Sequence, residues 1–125
     1  MIHHVSIGVA DLQRAGAFYD AALGALGHVR AWTRETALGY GRPGGGDQLA
    51  LKLRPDGPSA PGPGFHLAFC APDRASVVRF HEEAVRHGGR DDGAPGLRPQ
   101  YGPDYYAAFV VDPDGHRLEA VSSGD

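Results

Sequence analysis

Several features that would place the chain in a particular class of protein are missing or scarce. Its 125 residues include one cysteine, Cys70, which excludes an internal disulfide framework and is typical of a reducing compartment. No hydrophobic run approaches the length of a transmembrane helix, and the first residues lack the basic and apolar regions of a secretory signal. We therefore expect a cytoplasmic protein with no membrane partner.

Charge of one sign is not concentrated anywhere in the chain. The formal net charge is −3, and acidic and basic residues are interspersed, so nothing in the electrostatics favours nucleic acid as a partner. The glycine run at residues 44–46 lacks the lysine and the following helix of a phosphate-binding loop. The length suits a single domain, residues 1–125, with a substantial hydrophobic core.

The sequence contains an internal repeat with a spacing of 62 residues. Each copy begins with a strand-like segment, continues through a helix-capping aspartate into an amphipathic helical pattern, and stops at a glycine. Residues at this spacing are His4 and His66, Asp11 and Asp73, Phe18 and Phe80, Ala22 and Ala84, and Gly27 and Gly89. Because the matches fall on the strand, the cap, the helix core and the stop, duplication explains them better than chance.

The repeat predicts an α+β fold of two tandem βαβββ modules, each with its helix on one face of its sheet. Module 1, about residues 1–55, has a first strand over Ile2–Val9, a helix over Leu12–Leu26 and then three short strands. A linker rich in proline and glycine, about residues 54–64, leads to module 2, about residues 65–123. Residues 91–103 show no strand pattern and are predicted to form a long loop before a closing hairpin.

The closing hairpin contains the side chain that most needs a partner. Asp112–Gly115, with the sequence Asp-Pro-Asp-Gly, has the composition of a tight turn between two strands. In the second strand Glu119 stands between Leu118 and Ala120, in a run that should be at least half buried. A carboxylate there is costly unless it is paired or bound to a metal.

Two related modules place their first strands symmetrically. His4 and His66 are therefore predicted to approach each other on the sheet face away from the helices, and Glu119 is predicted to lie on that face. Two imidazoles and a carboxylate form a facial triad that binds a divalent metal and leaves positions open for water and substrate. In the ordinary alternative the histidines hydrogen-bond locally, and Glu119 pairs with Arg98 or Arg117. The donor set does not choose among zinc, nickel, manganese and iron.

In their order and spacing these motifs resemble the vicinal oxygen chelate superfamily, the glyoxalase/bleomycin resistance/dioxygenase proteins, along essentially the whole chain. The residues that carry the resemblance are His4-Val5, Asp11-Leu12, Phe18-Tyr19, Leu23-Gly24, His66, Asp112-Pro113-Asp114-Gly115 and Glu119. It implies paired βαβββ modules that form an open, cup-shaped mixed sheet with helices on its outer face. It also implies a divalent metal in the cup, held by His4, His66 and Glu119, often within a homodimer.

Two departures from the family's pattern bear on the reaction. Glyoxalase I–like members use a fourth protein ligand at the end of the first module, where this chain has Ala50. Extradiol dioxygenases carry a tyrosine three residues before the Asp-Pro pair, where this chain has Phe109. Neither activity transfers directly.

What the resemblance still implies is a metal-dependent glyoxalase-like enzyme with lyase or isomerase chemistry on a small vicinal-oxygen metabolite. In such an enzyme the metal stabilises an oxyanion, and Glu119 is the catalytic residue. One alternative is a non-catalytic protein that sequesters a small molecule, as bleomycin resistance proteins do. A second alternative is a dioxygenase with altered proton delivery.

Candidate substrate contacts lie before the closing hairpin and in the first module. Arg98, Tyr101 and Tyr105 are suited to hold a carboxylate or phosphate and to stack on a ring. Trp32 is a candidate to line the cup, although packing in the core or in a dimer interface fits it equally well. The sequence leaves open whether the modules pair within one chain or between two chains.

Overall fold

The computed structural model describes residues 1–56 and 59–124, which contain two helices and eight strands. The first module comprises β1 (Val5–Val9), α1 (Leu12–Gly24), β2 (Val29–Arg34), β3 (Ala37–Gly41) and β4 (Leu49–Leu53). The second comprises β5 (Leu67–Cys70), α2 (Arg74–Arg86), β6 (Arg90–Leu97), β7 (Tyr106–Val111) and β8 (Arg117–Ser122). Two residues of the predicted linker, Gly57 and Pro58, lie outside the described residues, as does Asp125.

Each module forms its own four-stranded mixed sheet. The strand orders are β1-β4-β3-β2 and β5-β8-β7-β6, so the same topology occurs twice. In each sheet the first strand pairs parallel with the last, and the other pairs are antiparallel. The prediction of an α+β fold with two tandem βαβββ modules is confirmed.

The two helices begin after the predicted aspartate caps. The Asp11 carboxylate accepts a hydrogen bond from the backbone N–H of Arg14 at 2.9 Å, and Asp73 forms a reciprocal capping box with Ser76. Helix α1 ends at Gly24, two residues before its predicted end, because the amides of Leu26 and Gly27 bond three residues back as a tight turn. In the described part of the chain no helix is long and apolar enough to cross a membrane.

One hydrophobic core joins the two modules. Helices α1 and α2 contact each other, and each also packs on its own sheet. The largest fully buried apolar and aromatic side chains come from both modules: Tyr19, Tyr40, Phe18, Phe80, Leu51 and Leu118. The helices therefore cover one face of each sheet and leave the opposite face open.

The turn Asp112–Gly115 fastens the second module to the first. The carboxylate of Asp114 accepts a hydrogen bond from the backbone N–H of Ala10 at 2.8 Å. Close by, the Nε2–H of buried His116 donates to the carbonyl of Gly8 at 2.7 Å. Both bonds connect residues more than one hundred positions apart in the chain, so this turn ties β1 to the closing hairpin.

A buried tyrosine–carboxylate pair reinforces this connection. The hydroxyl of Tyr19 on α1 donates to Asp112 Oδ2 at 2.6 Å, while Asp112 Oδ1 accepts the backbone N–H groups of Asp114 and His116. Burial raises the pKa of Asp112, although the Tyr19 hydroxyl and the backbone donors oppose that shift. Burial and the neighbouring carboxylate also raise the pKa of Tyr19 well above its usual value, so its hydroxyl remains a donor.

The prediction of a long loop over residues 91–103 was wrong for residues 91–97 and correct for residues 98–103. Strand β6 occupies Arg90–Leu97 and pairs antiparallel with β7. Its pairing shifts register between Asp91 and Gly93 and again between Gly93 and Gly96. These irregularities break the two-residue alternation by which a strand is recognised, and the glycines lower the apparent strand propensity.

Candidate active site

One predicted ligand lies on the open face of a sheet, and the other two lie just before edge strands. In β8, Leu118 and Ala120 belong to the hydrophobic core, so Glu119 between them points to the open face. In β1, Ile7 and Val9 belong to the core, so Ser6 lies on the open face. His4 and His66 immediately precede β1 and β5, which are the edge strands of the two sheets.

Glu119 is the centre of a polar cluster on the second sheet. Its side chain is only 3% exposed, and its Oε1 lies 3.2 Å from His66 Nε2. Its other oxygen, Oε2, accepts a hydrogen bond of 2.5 Å from the hydroxyl of Tyr105. The His66 side chain is 52% exposed, so the buried carboxylate is in contact with a residue that solvent can reach.

The two arginines that could have neutralised Glu119 have other partners. Arg117 donates to Asp92 at 3.1 Å, and Arg98 donates through Nη2 to the carbonyl of Ala94 at 2.8 Å. Neither forms an ion pair with Glu119 among the residues that the structure describes. The ordinary alternative of a structural arginine–glutamate pair therefore does not account for this buried carboxylate.

Tyr105 has a contact that the sequence did not reveal. Its hydroxyl lies within hydrogen-bond distance of the candidate metal ligand Glu119, while its predicted contact with substrate stays a prediction. Burial and the hydrogen bond to Glu119 raise the pKa of Tyr105 to about 12, so the hydroxyl keeps its proton at neutral pH. The β7–β8 register gives no signal for this contact, because Phe109 is the cross-strand partner of Glu119 and Tyr105 lies four residues earlier, before β7 begins.

Two further predicted contacts surround this cluster. The ring of Tyr101, which is 65% exposed, lies 5.3 Å from the ring of Tyr105. Phe109 is the cross-strand partner of Glu119, and the guanidinium of Arg98 lies 5.4 Å from the centre of the Phe109 ring. Three of the four predicted substrate contacts, Arg98, Tyr101 and Tyr105, are thus near Glu119.

The fourth predicted contact, Trp32, belongs to the first sheet. Its indole covers Gly39, where a Cβ atom would lie 2.2 Å from Trp32 Cε2. The guanidinium of Arg34 lies 4.4 Å from the centre of the indole ring. Trp32 is therefore held flat against the first sheet, between the backbone and a cation.

His4 does not join the cluster within one chain. Its Nδ1 lies 2.8 Å from Nδ1 of His3, and both side chains are exposed. Within one chain His4 therefore makes a local hydrogen bond, as the alternative without a metal predicts. Over residues 1–56 and 59–124 there is no group of three or more His, Cys, Asp or Glu side chains that could hold a metal ion. One chain brings together His66 and Glu119, two of the three predicted ligands.

The first sheet lacks a counterpart of Glu119. Ser6 is the cross-strand partner of Ala50 in the first module, and Ala68 is the partner of Glu119 in the second. Ser6 and Ala68 are 62 residues apart and so equivalent in the repeat, and Ala50 therefore occupies the position equivalent to Glu119. This agrees with the position that the family's pattern indicated for the fourth ligand. The carboxylate of a fourth ligand is therefore missing from this position.

A cavity of about 710 Å³ lies between the modules. Its walls are the edge strand β5 and residues from the ends of β1, α1, β3 and β4, including Val5, Leu23, Leu26 and Leu49. Polar groups at its surface include His28, Arg42 and His66. Burial and the nearby Arg42 lower the pKa of His28, so its ring is neutral at pH 7. The volume and apolar walls are those of a small-molecule site.

Paired βαβββ modules with a buried carboxylate and a histidine on the open sheet face define the class of fold and site. Residues 1–120 match the sequence profile of the Glyoxalase/Bleomycin resistance protein/Dioxygenase superfamily. The chain belongs to this superfamily.

Solved structures agree with this assignment. A glyoxalase/bleomycin resistance protein from Albidiferax ferrireducens is 31% identical, with 94% of each chain covered and a TM-score of 0.80. A putative glyoxalase from Bacillus halodurans is 28% identical over 97% of this chain and 94% of that chain, with a TM-score of 0.69. A glyoxalase I variant from Zea mays shares the fold at 24% identity and a TM-score of 0.74; the match covers 96% of this chain but 45% of that one. No curated protein matches the sequence.

Proposed function

We propose that this protein is a metal-dependent enzyme of the glyoxalase type, with lyase or isomerase chemistry on a small metabolite that carries vicinal oxygens. The observation that carries this proposal is the environment of Glu119. Its carboxylate is almost completely buried on the open sheet face, where a histidine and a tyrosine approach its two oxygens. Burial of a carboxylate is costly, so a protein gains little from one at this position unless it has a function.

A metal with three protein ligands does not fit the single chain, which brings together only two. Strands β1 and β5 are unpaired along their outer edges in the described residues, and an unpaired edge is a template for another strand. In the proposed homodimer β1 of one copy meets β5 of the other. Because His4 and His66 directly precede these strands, this contact brings His4 of one copy to His66 and Glu119 of the other.

The residues of this chain would have distinct roles in such a site. His4, His66 and Glu119 would hold a divalent metal, which when bound would supply Lewis-acid stabilisation of an oxyanion. Tyr105 orients Glu119 through its hydrogen bond. Arg98 and Tyr101, near the same cluster, would contact the substrate, as would Trp32 on the open face of the first sheet.

Metal content tests this proposal directly. Protein purified without a histidine tag or chelator should contain about one metal per chain, and His66→Ala and Glu119→Ala should each lose it. A matched control is His81→Ala, which breaks the pair between His81 Nε2 and Asp91, 2.8 Å apart on α2 and β6, and should keep the metal. Wild-type protein that stays empty after zinc, nickel, manganese and ferrous iron are each offered would refute the metal site. Bound iron would direct the search towards oxygen chemistry and a catechol panel.

The cavity between the modules favours a second candidate, the sequestration of an apolar small molecule. Its volume of about 710 Å³ and its apolar walls do not require the Glu119 site. Glu119 does not line this cavity. Saturable binding of an apolar fluorescent probe that is unchanged in Glu119→Ala, together with a wild-type protein that takes up no metal, would favour sequestration over catalysis.

A further inference from the structure

Lys52 is the only lysine in the sequence, and it stands on the open face of the first sheet. Its neighbour Leu51 in β4 is fully buried in the core, so the side chain of Lys52 points the other way. Lys52 is half-buried. Lysine is found mostly at exposed positions, so a half-buried lysine on a sheet face calls for an explanation.

The residues beside Lys52 in the sheet are small. Its cross-strand partners are Gly8 on β1 and Ala37 on β3. Neither side chain is long enough to cover the ammonium group or to bond with it. The sheet therefore leaves space above Lys52 where a longer side chain would have filled it.

A cavity of about 370 Å³ occupies this space. It is lined by Ser6, Ile7, Gly8, Lys52, Arg54, Asp56 and Ser59. The stem of Arg54 packs over Gly8, where a Cβ atom would lie 3.4 Å from Arg54 Cγ. Lys52 and Arg54 thus bring two positive charges and Ser6 a hydroxyl to one cavity, against the single carboxylate of Asp56.

These two cations have no ionic partner within the described residues. Neither Lys52 nor Arg54 takes part in a salt bridge there, and Arg54 Nη1 donates only to the carbonyl of Leu53, at 2.7 Å. Arg14, Arg30, Arg74, Arg86 and Arg117 each pair with a carboxylate. Other arginines also form no salt bridge in the described residues, so what distinguishes Lys52 and Arg54 is that they share one cavity. Within the described residues the half-buried Lys52 and the exposed Arg54 therefore bring two positive charges without a salt bridge to one concave site.

We propose that Lys52, Arg54 and Ser6 bind the anionic group, a carboxylate or a phosphate, of this protein's substrate. The ammonium and guanidinium groups supply charge-assisted hydrogen bonds, and the hydroxyl supplies a neutral donor. The inference rests on the proposed function only in assigning the anion to the substrate of the Glu119 site.

The position of the cavity restricts that substrate. Lys52 is the cross-strand partner of Gly8. Gly8 comes four residues after His4, which places Lys52 about 13 Å from His4 along the strand direction at the usual rise of a strand. A substrate that reaches both the proposed metal and Lys52 has its vicinal oxygens at one end and its negative charge several bonds away. An uncharged or very short metabolite would not use both sites.

Calorimetric titration tests this subsite without any metal. Inorganic phosphate and malonate serve as probes, so a phosphate and a carboxylate source are compared directly. Wild-type protein should bind one of them saturably, Lys52→Met should bind at least about tenfold more weakly, and Lys52→Arg should recover most of the affinity. The control Arg79→Met removes one exposed positive charge from α2 in the other module and should leave binding unchanged.

The single lysine also allows the bound anion to be located. Reductive methylation with a ¹³C label keeps the charge and marks one side-chain amine, whose signal is identified by its absence in Lys52→Met. That signal should shift saturably with the probe that binds in calorimetry. Absence of saturable binding, an unshifted Lys52 signal or an equal loss in Arg79→Met would overturn the proposal.

The two proposals fail separately. Lys52→Met should retain the metal content of the wild type, because Lys52 is not a proposed ligand. A wild-type protein without metal that still binds phosphate or malonate through Lys52 would refute the proposed enzyme and leave the anion site standing. A metal-bound protein with no saturable anion binding would refute the anion site and leave the proposed enzyme standing.

Discussion

At the scale of single residues, the hydroxyl of Tyr105 is the most informative group to remove. Tyr105→Phe deletes the donor to Glu119 Oε2 and leaves one oxygen of a buried carboxylate without a partner. We expect the free energy of unfolding to fall by about 1–2 kcal/mol. Under the proposed function, metal affinity should also fall by about 10–100-fold, because Tyr105 holds a ligand in place.

The neighbouring tyrosine is a matched control for this change. Tyr106 stacks its ring against Arg74, whose guanidinium lies 5.2 Å from the ring centre. Tyr106→Phe keeps that ring and should change stability by less than about 0.5 kcal/mol, with metal affinity unchanged. Equal effects of the two substitutions, measured by urea denaturation and metal titration, would show that the hydroxyl of Tyr105 has no special role.

Gly39 is the second residue at which one atom should matter. In Gly39→Ala the added methyl group would overlap Trp32, which covers this glycine, so the indole must move away from the sheet. We expect a destabilisation of about 1–3 kcal/mol and a shifted emission from Trp32, the only tryptophan. Gly46→Ala, whose Cβ would meet no atom within 4 Å, is the control and should leave the emission unchanged.

At the scale of elements, the turn after β7 should control how firmly the modules are joined. Tyr19→Phe removes the hydrogen bond from α1 to Asp112, which is fully within the core. We expect a loss of about 1.5–3 kcal/mol in the free energy of unfolding at pH 7. Tyr40→Phe is the control and should cost less, because its carboxylate partner Asp20 is half exposed and is also held by Arg30.

The cost of removing the Tyr19 hydroxyl should depend on pH. Burial raises the pKa of Asp112 above its ordinary value of 3.8, so the folded state holds the carboxyl proton more tightly than the unfolded state does. The resulting contribution to stability is present at acidic pH and is lost as pH rises through the raised pKa of the folded state. The Tyr19 hydroxyl opposes the shift, so Tyr19→Phe raises this pKa further. The variant's deficit should therefore be larger at pH 7 than at acidic pH, where protonation of Asp112 removes the charge that the Tyr19 hydroxyl stabilises. A deficit that is equal at neutral and acidic pH in urea denaturation would contradict this account.

At the scale of the whole molecule, the proposed dimer makes a prediction that no single-chain site makes. His4→Ala and Glu119→Ala homodimers should each lack metal. After unfolding and refolding as an equal mixture, half of the dimers contain one of each chain, and one of their two sites then has His4, His66 and Glu119 intact. Metal content should recover to about a quarter of the wild-type value. No recovery in the mixture, with dimers present, would place the site within one chain or remove it.

Much of the secondary structure was predictable because its causes are local. Asp11 and Asp73 cap helices through bonds to amides three residues away, and the alternation in β1 and β8 is set by neighbouring residues. Strand β6 was missed because its partner β7 holds it in place despite two irregularities in register. That stabilisation comes from tertiary contacts, which leave no periodic pattern in the segment itself.

The sequence by itself determined the duplication, the two capped helices, the tight turn at residues 112–115 and the open sheet faces on which Ser6 and Glu119 lie. Local periodicity and backbone chemistry are sufficient for all of these. Only the tertiary structure decided that Glu119 contacts His66 and Tyr105, and that the residues around the turn form hydrogen bonds with the first module. It also decided that, in the described part of one chain, His4 does not join His66 and Glu119. These outcomes depend on how two modules pack, which is a sum of long-range contacts with no signature in any short stretch of sequence.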